Sequence, residues 1–197
     1  LQGQFIVAMP HLADPNFHRT VVLMCEHSDE GAMGVVVNRP LPFFLNQIYE
    51  GQEITGLGGA EQPVNFGGPV QPEVGFLLYE SQKEYEGAVP VLDKVTLGTS
   101  LEILQDIADE KGPLRFYFAL GYAGWGPGQL EEEIARNDWL VVPGDDELVF
   151  ELSPDERWEH AIRSLGIDPG LLTQTTGPAC RKGLLVARPP KLLPGRE

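Results

Sequence analysis

The chain has 197 residues, 42% of them hydrophobic, and a formal net charge of −15. That length supports one domain with its own core and requires no metal or disulfide staple. No apolar run reaches the ~20 residues of a membrane span, and two cysteines, Cys25 and Cys180, are too few for a disulfide scaffold.

No secretion-signal layout is visible, so a cytoplasmic protein with reduced thiols and no membrane contact is expected. The charge is unevenly spread. Residues 1–180 hold 28 acidic and 9 basic side chains, a net of −19, and form the expected domain. Residues 181–197 hold five basic side chains against Glu197, a net of +4, and read as a basic, proline-containing tail. Nucleic-acid affinity rests on neutralising phosphates with Lys and Arg, so the acidic body is a poor direct binder of nucleic acid.

In chain order, QFIVAM (4–9) predicts a first strand stopped by Pro10, followed by a loop that Pro10 and Pro15 punctuate. TVVLMCEH (20–27) and AMGVVVN (32–38) predict a hairpin across the turn SDEG. PFFLNQIYEG suggests a short helix ending at Gly51, and the glycines of 51–63 mark a surface loop. VNFGGPV and VGFLLYE (74–80) are further strand material. SLEILQDIADEK puts Leu101, Ile103, Leu104, Ile107 and Ala108 on one helical stripe, and Gly112-Pro113 ends it. LRFYFALG is a strand, GYAGWGPG a glycine-rich link, and QLEEEIARND a helix. WLVVP and ELVFEL read as late strands around PGDDE. Ser153, Pro154 and Glu156 open the last helix with a capping box, and Gly166 closes it. Strands outnumber helices and often follow one another directly. The expected architecture is a single α+β domain: a largely antiparallel or mixed sheet, barrel-like if it closes, with about four helices packed on it.

Cys25, Glu26 and His27 hold the most reactive letters. On a regular strand residues i and i+2 share a face, ~6.6–6.8 Å apart, so Cys25 and His27 are expected to point the same way. A histidine there could stabilise a thiolate. Val21 and Leu23 flank Cys25 on that face, however, which makes it a small core residue first. His11, His18, Cys25 and His27 are metal-binding types without the close paired spacing of structural zinc, and no metal site is expected. Asn38-Arg39-Pro40 holds Arg39 extended at a strand end, fit to grip a carboxylate of the chain itself or of a partner. Gly67-Gly68-Pro69 predicts a tight turn, whose N–H groups could form an anion nest if Arg39 and Trp125 converge on it. GYAGWGPGQLEEE orders a strand, glycines and a helix start as phosphate loops do. But Glu131, Glu132 and Glu133 fill the first turn and would repel phosphate. The glycines instead let Tyr122 and Trp125 pack closely or line a pocket.

Taken together, FIVAMPHLADPNFHRTVVLMCEHSDEGAMGVVVNRP (5–40), GGPV followed by GFLLYE, LGYAGWGPGQLEEEIARNDWL (120–140) and RWEHAIRSLGID (157–168) resemble the YqgE/AlgH family of bacterial proteins. The resemblance implies a compact α+β fold in a cytosolic protein. It also implies a transcriptional-regulator label, which rests on the genetics of alginate production rather than on a known DNA-binding surface. It supplies no catalytic residues, and it does not extend to 181–197.

These readings point to a non-catalytic regulatory protein that binds a small ligand or a protein partner, with no cofactor. The expected contact surface comprises Asn38, Arg39, Gly67, Gly68, Pro69, Tyr122, Trp125 and Gln129. Two alternatives stand beside it. One is a thiol-dependent enzyme or redox sensor using Cys25 with His27. The other is a transcriptional regulator that acts indirectly.

Overall fold

A computed structural model describes residues 1–80 and 83–173. Cys180 and the basic tail expected over 181–197 lie outside the described residues. Ten strands and six helices follow in the order β1 (Phe5–Ala8), β2 (Val21–Ser28), β3 (Gly31–Val36), β4 (Pro40–Phe44), α1 (Leu45–Gly51), β5 (Pro63–Phe66), β6 (Val70–Glu80), β7 (Val89–Leu92), β8 (Val95–Gly98), α2 (Leu101–Ala108), β9 (Arg115–Trp125), α3 (Gln129–Ala135), β10 (Trp139–Val142), α4 (Glu147–Phe150), α5 (Pro154–Ser164) and α6 (Pro169–Thr173). None of these helices is long and apolar enough to cross a membrane.

The strands form one sheet in the order β10-β1-β2-β3-β9-β6-β8-β7, with β5 joined to β9 and β4 to β5. All pairs are antiparallel except β5 with β9, where Asn65 lies opposite Ala119. The long strand β9 is the spine. Its first half pairs with β6, and its last residues, Ala123 to Trp125, pair with Gly34 to Ala32 of β3. Gly67 fills the fork between these partners: its N–H donates to Leu120 O (2.8 Å) and its carbonyl accepts from Val36 N (2.8 Å). Gly68 follows at φ 153°, and a Cβ there would stand 2.0 Å from the Tyr122 carbonyl carbon. Only glycine fits so close an approach of two backbones.

The sheet curls but does not close. Its ends, β10 and β7, approach without ladder bonds; across the gap the Gln2 side chain donates to Pro90 O (3.4 Å). Pro90 offers no N–H, and the gap is lined by Asp93, Asp145 and Asp146, the last facing Lys94 (3.7 Å). The barrel expected as one outcome is therefore replaced by an open, strongly curved sheet. Its concave side holds the largest core, where Phe5, Leu23, Val35 and Leu78 meet Trp158 and Ile162 of α5. Helices α1 and α2 cover a second cluster, and Leu130 of α3 joins a third that includes Met24, Trp125 and Trp139.

Most expected elements form where expected. α5 opens as its capping box requires: Glu156 Oε2 accepts from the Ser153 hydroxyl (2.6 Å) and N–H (3.3 Å). ELVFEL is a correction. It forms α4, one helical turn, because the Asp145 carboxylate accepts from Glu147 N (3.0 Å) and adjacent Leu148 and Val149 both turn inward. A strand would have sent them to opposite faces. Residues 40–44 extend along β5 before α1 begins at Leu45, so the helix expected from Pro42 starts later.

Candidate functional site

The hairpin that carries Cys25 is not regular. Met24 lies opposite Gly34 and Glu26 opposite Met33, so Cys25 is the extra residue of a β-bulge. The bulge changes the faces. Cys25 stays on the concave side with Leu23 and Val35, and Glu26 follows Met33 to that same side. His27 pairs with Ala32, on the opposite face, and there its Nε2 donates to Glu131 of α3 (2.5 Å). The expectation that Cys25 and His27 share a face is overturned, and with it the geometry of a Cys–His pair. Cys25 is 2% exposed and its Sγ donates to Leu23 O (3.5 Å). Burial pushes its thiol up to about 12, against a smaller opposing effect of a backbone hydrogen bond at Val35. A thiol so held is neutral and shielded at physiological pH. The Glu131 carboxyl is held below its ordinary range, first by its own backbone N–H at the start of α3 and then by His27.

The other expected residues are also engaged in the fold. Asn38 straps the 10–19 loop: Oδ1 accepts from Val21 N and Nδ2 donates to Arg19 O, both 2.9 Å. Arg39 donates to His18 O rather than to a carboxylate of the described residues, which corrects the internal acid clamp. His11 faces Asp138 (3.4 Å), and no group of three metal-ligating side chains forms among the described residues. Trp125 is buried. Its indole N–H donates to Glu133 Oε2 (2.9 Å), which also accepts from Trp139 (2.8 Å), while Gln129 bonds the other carboxylate oxygen (2.9 Å). Phe17 lies against both tryptophan rings, with centroids 6.2 and 5.5 Å away. The glycine-rich link thus delivers one indole of a two-indole carboxylate clamp. With Gly67 N bonded to Leu120, Arg39 to His18 and Trp125 to Glu133, the anion nest does not assemble.

Part of the expected surface does converge. Tyr122, Trp125 and Val70 line a groove of about 650 Å3 together with Glu26, Glu30, Met33, Gln71 and Phe76. Tyr122 meets Phe76 edge to face at 5.6 Å, forming an apolar floor. Glu26 and Glu30 are exposed on the rim, and among the described residues no Lys, Arg or His lines it. Gln71 sits at φ 48°, a left-handed conformation uncommon for a residue with a Cβ, next to the register shift between Val70 and Gly75. Glu26, Glu30, Met33, Gln71 and Phe76 escape linear reading because the bulge at Cys25 and the bend in β6 decide where they point. A polar residue after Cys25, on what should be the outer face, gives no warning.

The geometry defines an α+β domain in which Cys25 is buried in the core, His27 is held by Glu131, and the groove is acidic and aromatic. Comparison with known proteins then gives the family. The AlgH-like family model matches residues 5–170, and the chain belongs to that family. A UPF0301 protein of Ralstonia nicotianae is 45% identical over 183 residues, which is 91% of this chain and 95% of the relative. A UPF0301 protein of Thioalkalivibrio sulfidiphilus is 45% identical over 178 residues, 90% of this chain and 96% of its own. The solution structure of the AlgH protein from Pseudomonas aeruginosa superposes with a TM-score of 0.75 at 40% identity, covering 89% of this chain and 94% of that one. A Corynebacterium diphtheriae protein at 23% identity shares the fold, with a TM-score of 0.65 over 89% of this chain and 91% of its own.

Proposed function

We propose that this protein is a non-catalytic, cytoplasmic binding protein whose groove between the β2–β3 turn, β6 and β9 docks a basic segment of a protein partner. The observation that carries it is the pairing of Glu26 and Glu30 with an aromatic floor. Among the described residues neither carboxylate has an ion pair or a side-chain hydrogen bond, and Tyr122, Phe76 and Met33 lie below them. A cationic residue beside an apolar one suits that surface in charge and in shape. The strained backbone at Gln71 supports the same place, because such conformations collect at binding sites.

An indirect route for any regulatory role fits the distribution of cations. Seven of the nine Lys and Arg side chains in the described residues, those at 19, 83, 94, 111, 115, 136 and 163, stand in ion pairs with carboxylates. Within the described residues only Arg39 and the buried Arg157 stand outside such pairs, so for this acidic body a protein partner is the more fitting route to a promoter.

A short peptide alternating lysine and leucine tests the groove by NMR titration of the full chain. Shifts are expected to concentrate on Glu26 to Met33, Val70, Gln71 and Gly124, and to weaken as salt rises. Glu26→Gln with Glu30→Gln should weaken binding roughly tenfold and change stability by less than about 0.5 kcal/mol. Shifts spread evenly over the acidic surface, Asp93 and Asp145 included, and indifferent to the double variant would end the groove assignment.

A further inference from the structure

A second, more enclosed cleft of about 200 Å3 opens where β5 and β9 meet α4 and α5. Asn65, Phe116, Tyr117, Phe150 and Arg157 line it. Two of these are buried polar groups whose hydrogen-bonding capacity is not filled.

The first is Arg157. It precedes Ala161 by one turn on the inward face of α5, beside Trp158 and Ile162, and only 5% of its surface is exposed. Its Nε donates to Leu152 O (3.0 Å), its Nη1 donates to Val37 O, and the Tyr117 ring lies 5.2 Å from the guanidinium carbon. All three partners are neutral. Among the described residues no carboxylate pairs with Arg157 and no hydrogen bond takes Nη2. Burial works against its charge, with Tyr117 opposing. A guanidinium stays protonated in proteins, so a positive charge sits inside this wall without a counter-ion.

The second is Asn65, 2% exposed. Its Nδ2 donates to Phe118 O (2.9 Å) and to Pro63 O (3.1 Å). Both N–H groups are therefore committed to carbonyls, and turning the amide over would set oxygen against oxygen. The orientation is fixed, and it leaves Oδ1 buried with no donor. An acceptor left in that state on the wall of the cleft has a lone pair for a donor that the described residues do not supply.

We infer that the cleft is a binding site for a small organic acid that also carries a hydrogen-bond donor, such as a short 2-hydroxy acid. Its carboxylate meets Arg157, its hydroxyl donates to Asn65 Oδ1, and its carbon body rests on Phe116 and Phe150. The volume equals about seven waters at ~30 Å3 each, room for a short hydroxy acid and too little for a nucleotide. The site is independent of the groove, and either can exist without the other.

The probe is L-lactate, with propionate lacking the donor and lactamide lacking the charge. Side-chain signals of Arg157 Nε–H and the Asn65 amide are followed by NMR in the unmodified full chain. Saturable shifts of both signals with lactate are expected, with propionate and lactamide each binding at least roughly tenfold more weakly. Arg157→Gln should abolish the response; if that variant fails to fold, the three-probe comparison on the unmodified chain decides. Equal responses to lactate, propionate and lactamide overturn the assignment. So does a crystal structure grown with lactate in which Asn65 Oδ1 bonds only an ordered water.

Discussion

Strand β9 runs from the enclosed cleft at Phe116 to Phe118 to the open groove at Tyr122 to Trp125, and the two ends differ in how their polar groups are satisfied. Around the groove, the buried indoles, Gln129 and His27 all have partners, and the unpaired groups are the exposed rim carboxylates Glu26 and Glu30. In the cleft the unfilled groups are buried: a guanidinium without a carboxylate and an amide oxygen without a donor. The rim charges are exposed, so the docking proposed there would depend on long-range charge and shape and would weaken with salt. Asn65 Oδ1 has no donor among the described residues. Recognition in the cleft depends on desolvated groups, which salt hardly reaches. A buried group left unfilled lowers stability, a cost that a ligand supplying its partner would offset.

The contrast is tested most severely at Arg157. Arg157→Ala opens a cavity and leaves Val37 O and Leu152 O without their donor, at about 3–4 kcal/mol in urea unfolding. Arg157→Met fills the space and removes the unneutralised charge, which offsets part of the lost bonding. It should cost only about 1 kcal/mol. If Arg157→Met is as damaging as Arg157→Ala, the guanidinium is there to hold α5, and the difference between cleft and groove collapses. At the groove end, Glu133→Ala strands two buried indole N–H groups and should cost about 2–3 kcal/mol, with a red shift of tryptophan emission. Glu133→Gln keeps an acceptor oxygen and should cost about half as much. A neutral result for Glu133→Ala would mean that the polar groups behind the groove are less tightly matched than the geometry implies.

Much of the fold is legible in the residues alone. Period-2 and continuous apolar runs mark the β2–β3 hairpin, and the Ser153-Pro154-Glu156 start marks α5, because those signals are local. What escapes is set by distant partners. The bulge at Cys25 arises where Gly34 faces Met24, and it reverses which of Glu26 and His27 looks inward. The role of Asn65 depends on Phe118, 53 residues away. Arg157 did leave a trace, a cation one turn before Ala161 beside the inward Trp158 and Ile162, yet on paper that resembles an ordinary helix flank. Tyr122 and Trp125 were recognisable as site candidates from their glycine setting. That Trp125 is bound to Glu133 while half-buried Tyr122 faces the groove was not.

Cys25 gives a third, smaller test, since it is the bulge residue that sets Glu26 on the groove side. With its pKa raised by burial to about 12 from 9.0, the folded chain keeps the proton between those values while the unfolded chain releases it. Stability should therefore fall as pH rises above about 9, at up to ~1.4 kcal/mol per pH unit from this group. Cys25→Ala should remove that contribution. Alkylation of Cys25 at neutral pH should be slow and should accelerate in urea in step with global unfolding. Rapid labelling of the folded chain would show that the hairpin opens locally, and the groove would then be a mobile surface rather than a preformed one.

The smallest effect lies at the back of the groove, where His27 holds Glu131. The depressed Glu131 pKa means that its folded-state advantage is present above the ordinary carboxylate range and is lost as pH falls through the folded value. The backbone N–H of Glu131 contributes first and His27 second, with a smaller contribution from the N-terminal ammonium. In His27→Ala the midpoint of the Glu131 carboxyl, followed by carbon-13 NMR, should move up part of the way and stop short of the ordinary value, because the helix-start N–H remains. A full return would make His27 the sole cause. An unchanged midpoint would detach His27 from α3 altogether. In that event the bulge at Cys25 would place the imidazole on that face without fastening the hairpin to α3, and the groove would lose a support that the cleft, built on β9 and α5, never needed.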